Sequence, residues 1–202
     1  MVGIGILDIN KNQKFPRKEI PLRKSREEAA QTRKRIVTAA AGEFRKHGIV
    51  ATGLNDLMKA AGLTHGGFYK HFESKDQLVA EACAEAVEAL IERVSAAGSG
   101  AAATYLSTRH RDNPADGCPL SAIGSELGRS DEKTRAVATD GFLKLVEIMA
   151  GQFGKIPPGA ARRRALVAVS TMIGALTMSR IVTDPDLSEE ILRLAEKSMS
   201  VR

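Results

Sequence analysis

Three glycines fall within six residues of the stretch AAGLTHGGFYKHF, at Gly62, Gly66 and Gly67. Each weakens a helix interior by roughly 1 kcal/mol relative to alanine. Two aromatics, a lysine and a histidine follow at once. The stretch therefore needs a tight turn and a surface bare of side chains, and the sequence around it has to supply the reason.

The flanking sequence is helical in character. It is rich in Ala, Leu, Glu, Lys and Arg, lacks Trp and shows few strand-like runs, which reads as an all-α chain. With 202 residues it can bury a substantial core in one or two domains. No apolar run approaches the roughly 20 residues of a membrane span, so no membrane partner is expected. The opening MVGIGILDIN lacks a basic leader, is broken by Asp8 and offers no small-residue cleavage site, unlike a secretory signal. Cys83 and Cys118 make neither a disulfide framework nor a metal cluster. A reducing cytoplasm is the expected compartment, with no metal and no cofactor.

Charge is unevenly placed. Residues 1–75 carry 15 Lys and Arg against 7 Asp and Glu, while residues 76–202 carry 15 against 17. The whole positive excess sits in the first third, which points that part alone towards a polyanion. A solvated basic surface without a partner is the plainer reading of charge alone.

Residues 1–24 lack periodicity, carry Pro16 and Pro21 and are basic, as a flexible arm would be. Such an arm is either an inert tail or one that reaches a DNA minor groove. A first helix is expected from Ser25, where SREE forms a capping box, to a stop at Gly48. A second runs from Leu54 to Ala61, and a third, capped by Thr64, from His65 to His71. A second capping box, SKDQ, opens a long fourth helix at Ser74 that bridges two parts of the molecule. Further helices are expected at about 100–110, 119–129, 132–154, 159–182 and 187–199, separated by segments rich in Pro, Gly or capping residues.

Two short helices joined by AGLT form a helix-turn-helix unit, in which Ala61 and Gly62 fit a tight turn. The second of them hides Phe68 and Phe72 while presenting His65, Gly66, Gly67, Lys70 and Tyr69. In such units the N-terminal end of the second helix enters the major groove. Glycines there let the backbone approach base edges closely.

Over residues 52–78, TGLNDLMKAAGLTHGGFYKHFESKDQL resembles the DNA-binding signature of the TetR family of one-component transcriptional regulators. The shared elements are the Thr opening helix two, the small-Gly-apolar-Thr turn, the Gly before the aromatic pair, and YKHFESKDQL. Met58 departs from the pattern, where the family usually has Ala. The resemblance implies an N-terminal three-helix DNA-binding domain over 25–73 and a helical effector-binding and dimerisation domain over 74–202, about nine helices in all. It implies base contacts from Thr64, His65, Gly66, Gly67 and Lys70, and phosphate contacts from Thr52, Tyr69, His71 and Lys75. An ordinary half-buried aromatic at Tyr69 and a structural role for His71 are the alternatives.

For the second half, the resemblance implies a homodimer closed by a four-helix bundle, and hence a palindromic operator in double-stranded DNA. Leu166, Val169, Ile173, Gly174, Leu176, Ile191 and Leu194 are the expected interface. A small-molecule effector is expected among Tyr105, Leu106, Cys118, Phe142, Leu145, Met149, Met172 and Met178, which are otherwise plain core. Cys118 opens a helix near His110 and Arg111, where the dipole lowers a thiol's pKa, so it is either an electrophile sensor or a structural thiol. An enzyme using Cys118 and His110 lacks any recognisable third residue or oxyanion loop. A DNA binder without ligand sensing is the remaining alternative.

Overall fold

The structure, a computed structural model, describes residues 22–154 and 156–199. The expected arm lies outside the described residues over 1–21, and its last three residues are already helical. Among the described residues every regular element is a helix. Apart from two three-residue 3₁₀ turns at Gly98–Gly100 and Pro114–Asp116, they are α1 (Leu22–His47), α2 (Leu54–Ala60), a 3₁₀ helix (His65–Lys70) and α3 (Lys75–Ala96), then α4 (Ala101–Tyr105), α5 (Thr108–Asp112) and α6 (Pro119–Leu127), and finally α7 (Glu132–Gly151), α8 (Pro158–Ile181) and α9 (Pro185–Met199).

Some helix starts follow the capping chemistry, whereas Thr64 holds the cap position of the 3₁₀ helix without a side-chain bond. Ser74 Oγ accepts the Gln77 amide at 3.1 Å, and the Gln77 side chain accepts the Glu73 amide at 2.8 Å. Asp131 accepts the Thr134 amide at 2.7 Å to start α7. Gly48 and Gly62 adopt φ of +90° and +70°, a left-handed conformation that stops α1 and turns the chain after α2. Two expectations fail. Ser25 lies inside α1 rather than at its cap, because the helix starts at Leu22. The single helix expected at 100–110 is two, broken at Leu106, with Ser107 Oγ capping α5 through the His110 amide at 3.2 Å.

Buried side chains fall into two clusters. Ile36, Ala40 and Phe44 of α1 pack with Leu57, Phe68 and Phe72, with the first half of α3, and with Ile123 and Leu127 of α6. Leu90 and Val94 from the second half of α3 pack with Tyr105, Leu145, Met149, Val169, Met172 and Leu176. The long third α-helix thus belongs to both cores and joins them. Burying an aromatic or aliphatic side chain of this size contributes about 1.5–3 kcal/mol. Arg33 adds a bidentate pair with Glu81, linking α1 to α3; both are partly exposed, so the pair is worth about 1 kcal/mol or less.

The 24-residue helix α8 contains an 18-residue window of mean hydropathy 1.2, long and apolar enough to cross a membrane by length and composition, although its uncharged run is bounded by Arg164 and Arg180. One side of it packs between α7 and α9. Elsewhere α3 and α7 approach so closely that a Cβ on Gly141 would sit 2.7 Å from both methyls of Val87. Gly141→Ala is expected to cost about 1–3 kcal/mol in urea unfolding, and adding Val87→Ala to relieve the overlap. A Gly141→Ala protein as stable as the parent would contradict this packing.

Candidate nucleic-acid interface

The turn and the 3₁₀ helix form the exposed end of the N-terminal core. Gly62 closes the turn, with the Leu63 amide bonded to the Met58 carbonyl at 2.8 Å. The next helix is wound as 3₁₀ rather than α, as the Gly67 amide meets Thr64 O at 3.1 Å and the His71 amide meets Phe68 O at 2.9 Å. Two glycines in six residues do not sustain an α-helix, and a single tight turn suffices. Phe68 anchors it from beneath, stacked against Phe72 with centroids 5.5 Å apart, and the Arg33 guanidinium caps Phe72 at 4.5 Å.

That anchoring leaves Thr64, His65, Gly66, Tyr69 and Lys70 exposed around the turn and the 3₁₀ helix. Tyr69 is 68 % exposed, held edge-on to Phe68 at 5.1 Å. The glycines differ in kind. A Cβ on Gly67 would meet the Met58 methyl at 3.4 Å, so the bulkier residue at 58 fills the space that Gly67 leaves open. A Cβ on Gly66 would meet nothing within 4 Å, so nothing among the described residues requires it to be bare.

The expected phosphate-contacting residues are not all on that face. Thr52 is buried, with its hydroxyl donated to Gly48 O at 2.5 Å, and Gly53 rather than Thr52 is the N-cap of α2. Lys75 donates to Ile49 O at 2.6 Å and lies 5.9 Å from the Phe44 ring. His71 is half-buried, and its carbonyl accepts Arg33 Nε at 3.3 Å. Val50 is 84 % exposed in the loop before α2, a surface position that a search for polar contacts passes over.

A seam ties this unit to the C-terminal helices. Glu126 of α6 accepts the Ile49 amide and, at 3.2 Å, the Val50 amide, capping the chain just beyond α1. Arg45, in the last turn of α1, donates Nε to Ala115 O at 2.7 Å. Beside Arg45 opens a cavity of about 720 Å³ between α1, α3 and residues 104–116. Of the eight residues expected to line an effector pocket, only Tyr105 borders it. Leu145, Met149, Met172, Leu106 and Cys118 are buried in the second core, Phe142 is partly buried against it, and Met178 is 47 % exposed. Sequence reasoning missed Arg45, Arg93, Arg109 and Asp116 as wall residues, which no local motif brings together.

Burial reverses the expectation for Cys118. Its thiol is fully enclosed, which pushes its pKa up, and burial raises Cys83 to about 11. What its backbone does is structural: the Cys118 amide donates to His110 Nε2 at 2.9 Å, while His110 Nδ1 bonds Tyr105 O at 2.7 Å. This network assigns a neutral imidazole with its proton on Nδ1. Gly117 leaves room for the ring, since a Cβ there would lie 2.8 Å from it. Arg180 closes the segment by donating to His110 O at 2.7 Å and Arg111 O at 3.0 Å. The Tyr105 hydroxyl is sealed in the same core.

The likeness to known proteins follows the same division. Residues 36–82 match the profile of the bacterial regulatory proteins of the tetR family, and residues 83–196 match that of the LmrA/YxaF-like transcriptional regulator C-terminal domain. An uncharacterised HTH-type transcriptional regulator of Mycobacterium tuberculosis is 29% identical over 170 residues, spanning 75% of this chain and 86% of the relative. The HTH-type regulator TtgR of Pseudomonas putida is 43% identical over 58 residues, which are 29% of this chain and 28% of TtgR. Among solved structures, a TetR regulator from Chloroflexus aurantiacus superposes with a TM-score of 0.72 at 24% identity, covering 87% of this chain and 98% of that one. Reduced Escherichia coli NemR superposes with a TM-score of 0.69 at 18% identity, covering 84% and 95%. The chain belongs to the TetR family of bacterial DNA-binding transcriptional regulators, which are not enzymes.

Burial holds the His110 pKa down at about 4 from an ordinary 6.5, aided by the charges of Arg180, Arg93 and Arg45 and opposed by its bond to Tyr105 O. The fold needs the neutral ring, whereas the unfolded chain protonates it below pH 6.5. This part of the stability is therefore complete above that pH and is lost as pH falls towards 4, up to about 3 kcal/mol. In urea unfolding, His110→Gln is expected to flatten the fall in stability between pH 7 and 4.5. A His110→Gln protein that keeps the full parental fall would contradict the assignment.

Proposed function

We propose that this chain is a ligand-responsive repressor that binds a palindromic operator as a homodimer and leaves it when a small molecule binds. The observation that carries the DNA contact is Gly66. It is exposed, a Cβ on it would meet nothing within 4 Å, and it stands between His65 and the Lys70 side of the 3₁₀ helix. A bare backbone with no internal need for bareness fits close approach to base edges. Thr64, His65 and Lys70 then read bases, with Gly67 in van der Waals reach, and Tyr69 reaches phosphate. Lys75 reaches phosphate only when it leaves Ile49 O, whereas the bond of His71 to Arg33 is made by its carbonyl and leaves the ring to reach phosphate. Thr52 supports the turn instead of touching DNA. On this reading residues 25–73 form the reading head and 74–202 the sensing and pairing part, in the cytoplasm where the DNA lies.

Pairing is supported by a stripe facing away from the core. Val167, Gly174, Met178 and Ile181 on α8 recur at a spacing that keeps them on one side, and Leu187 and Leu194 on α9 are also exposed. Apolar side chains in such numbers on two helices fit a partner surface. Two helices from each of two chains close a four-helix bundle, with Gly174 allowing close approach. Ile173, Leu166 and Ile191 are half-buried beside that stripe, whereas Val169 and Leu176 are fully buried in the chain's own core. One face of α8 therefore pairs while the opposite face packs.

Two-fold pairing puts the half-sites about 34–36 Å apart, or a multiple of that. Fluorescence anisotropy on the inverted repeat nearest the gene tests this. Tyr69→Phe is expected to weaken binding to all sequences and lower the log–log salt slope by about 0.9. His65→Ala should change preference at one base position, by about 1–3 kcal/mol. Ile181→Glu should give monomers by ultracentrifugation and lose the operator. A dimeric Ile181→Glu protein would overturn the pairing face, and parental DNA binding by every reading-head variant would overturn the contact surface.

A further inference from the structure

We infer that the cavity beside α1 is a receptor for a small amphipathic organic anion, a carboxylate or sulfonate carried on an aromatic or aliphatic body. The inference rests on the reading of the chain as a ligand-responsive regulator and names the ligand class for it. Three guanidiniums, from Arg45, Arg93 and Arg109, line the space, against one carboxylate, from Asp116. Of the other titratable wall groups, His110 is held neutral by its two backbone bonds and Tyr105 by burial. The lining therefore carries a net charge near +2.

The partners of these cations matter more than their number. Arg93 Nη2 donates to Asp116 O at 2.6 Å, and Arg45 donates to Ala115 O. Both bonds go to backbone carbonyls, and among the described residues neither guanidinium pairs with a carboxylate within 4.0 Å. A guanidinium offers five donors in a planar fork that fits a carboxylate bidentately, and here much of each fork is unspent. The lining also includes the apolar side chains of Leu90 and Val94, which flank Arg93 on α3, and the Tyr105 ring. Cationic forks set beside apolar side chains select an anionic head with an apolar body. A space of about 720 Å³ admits a molecule of two or three rings.

The position also explains how occupancy would reach DNA. Arg45 belongs to the last turn of α1, three residues before Gly48 and the amides capped by Glu126. An anion that draws Arg45 away from Ala115 O acts directly on the helix that supports the reading head. Such a ligand shifts the head only to the extent that it binds its two arrangements unequally.

The test uses 8-anilinonaphthalene-1-sulfonate and its uncharged counterpart, N-phenyl-1-naphthylamine, both fluorescent on burial, with the full-length protein. Wild type should bind the sulfonate at one site per chain, at least tenfold more tightly than the neutral dye. Arg93→Gln and Arg45→Gln should each weaken the sulfonate at least tenfold and leave the neutral dye within twofold, while Arg93→Lys recovers part of the loss. Arg93 lies at the exposed edge of α3, so its variants should keep the parental melting temperature. Equal binding of the two dyes by wild type, or a sulfonate affinity unmoved by Arg93→Gln, would overturn the inference. Operator binding without dye is measured separately. Its absence would overturn the regulatory reading and leave the dye comparison standing.

Discussion

One carboxylate holds the two parts of this molecule in register. Glu126, at the end of α6, accepts the amides of Ile49 and Val50 just past the first helix. The contact needs Gly48, because its left-handed φ turns those amides outward and a Cβ there would lie 2.7 Å from the carboxylate oxygen. Arg45, one turn earlier, crosses the same boundary to Ala115 O. The end of α1 is thus gripped from the bundle at two points about a turn apart. Since α1 also carries Ile36, Ala40 and Phe44 into the core beneath the 3₁₀ helix, its placement sets that of the exposed residues there.

The polar contacts at this boundary are specific because the apolar ones are not. Side chains of α6 and the first half of α3 share a core with the reading head, and such packing tolerates some sliding. Amide-to-carboxylate and guanidinium-to-carbonyl bonds have a narrower geometry. The segment around His110 is held in the same way, by a neutral ring bridging Tyr105 and Cys118 and by Arg180 on two carbonyls. Both ends of residues 105–118 are therefore fixed, and the cavity between them has definite walls.

Much of this was legible from residues alone where the information is local. The GLTHGGFYKHF turn, the Ser74 capping box and the glycine at the end of α1 act within a few positions, and each forms as the sequence implies. What failed depends on distant partners. The α8 helix is apolar on more than one side, so periodicity alone could not say that Val169 and Leu176 face inward while Val167 and Ile181 face out. Arg45 and Arg93 look like ordinary surface cations until the fold brings residues 104–116 against them. Cys118 has the helix-start position that favours a thiolate, but tertiary burial outweighs the dipole.

The grip of Glu126 on the end of α1 is the feature the whole arrangement turns on, and operator affinity of Glu126→Ala measures it most directly. With helix content and dimer size unchanged, the loss of the two amide bonds should leave the paired heads unfixed in spacing and weaken operator binding at least tenfold, within the usual range of coupling energies. An Glu126→Ala protein that binds the operator as tightly as the parent would contradict the account.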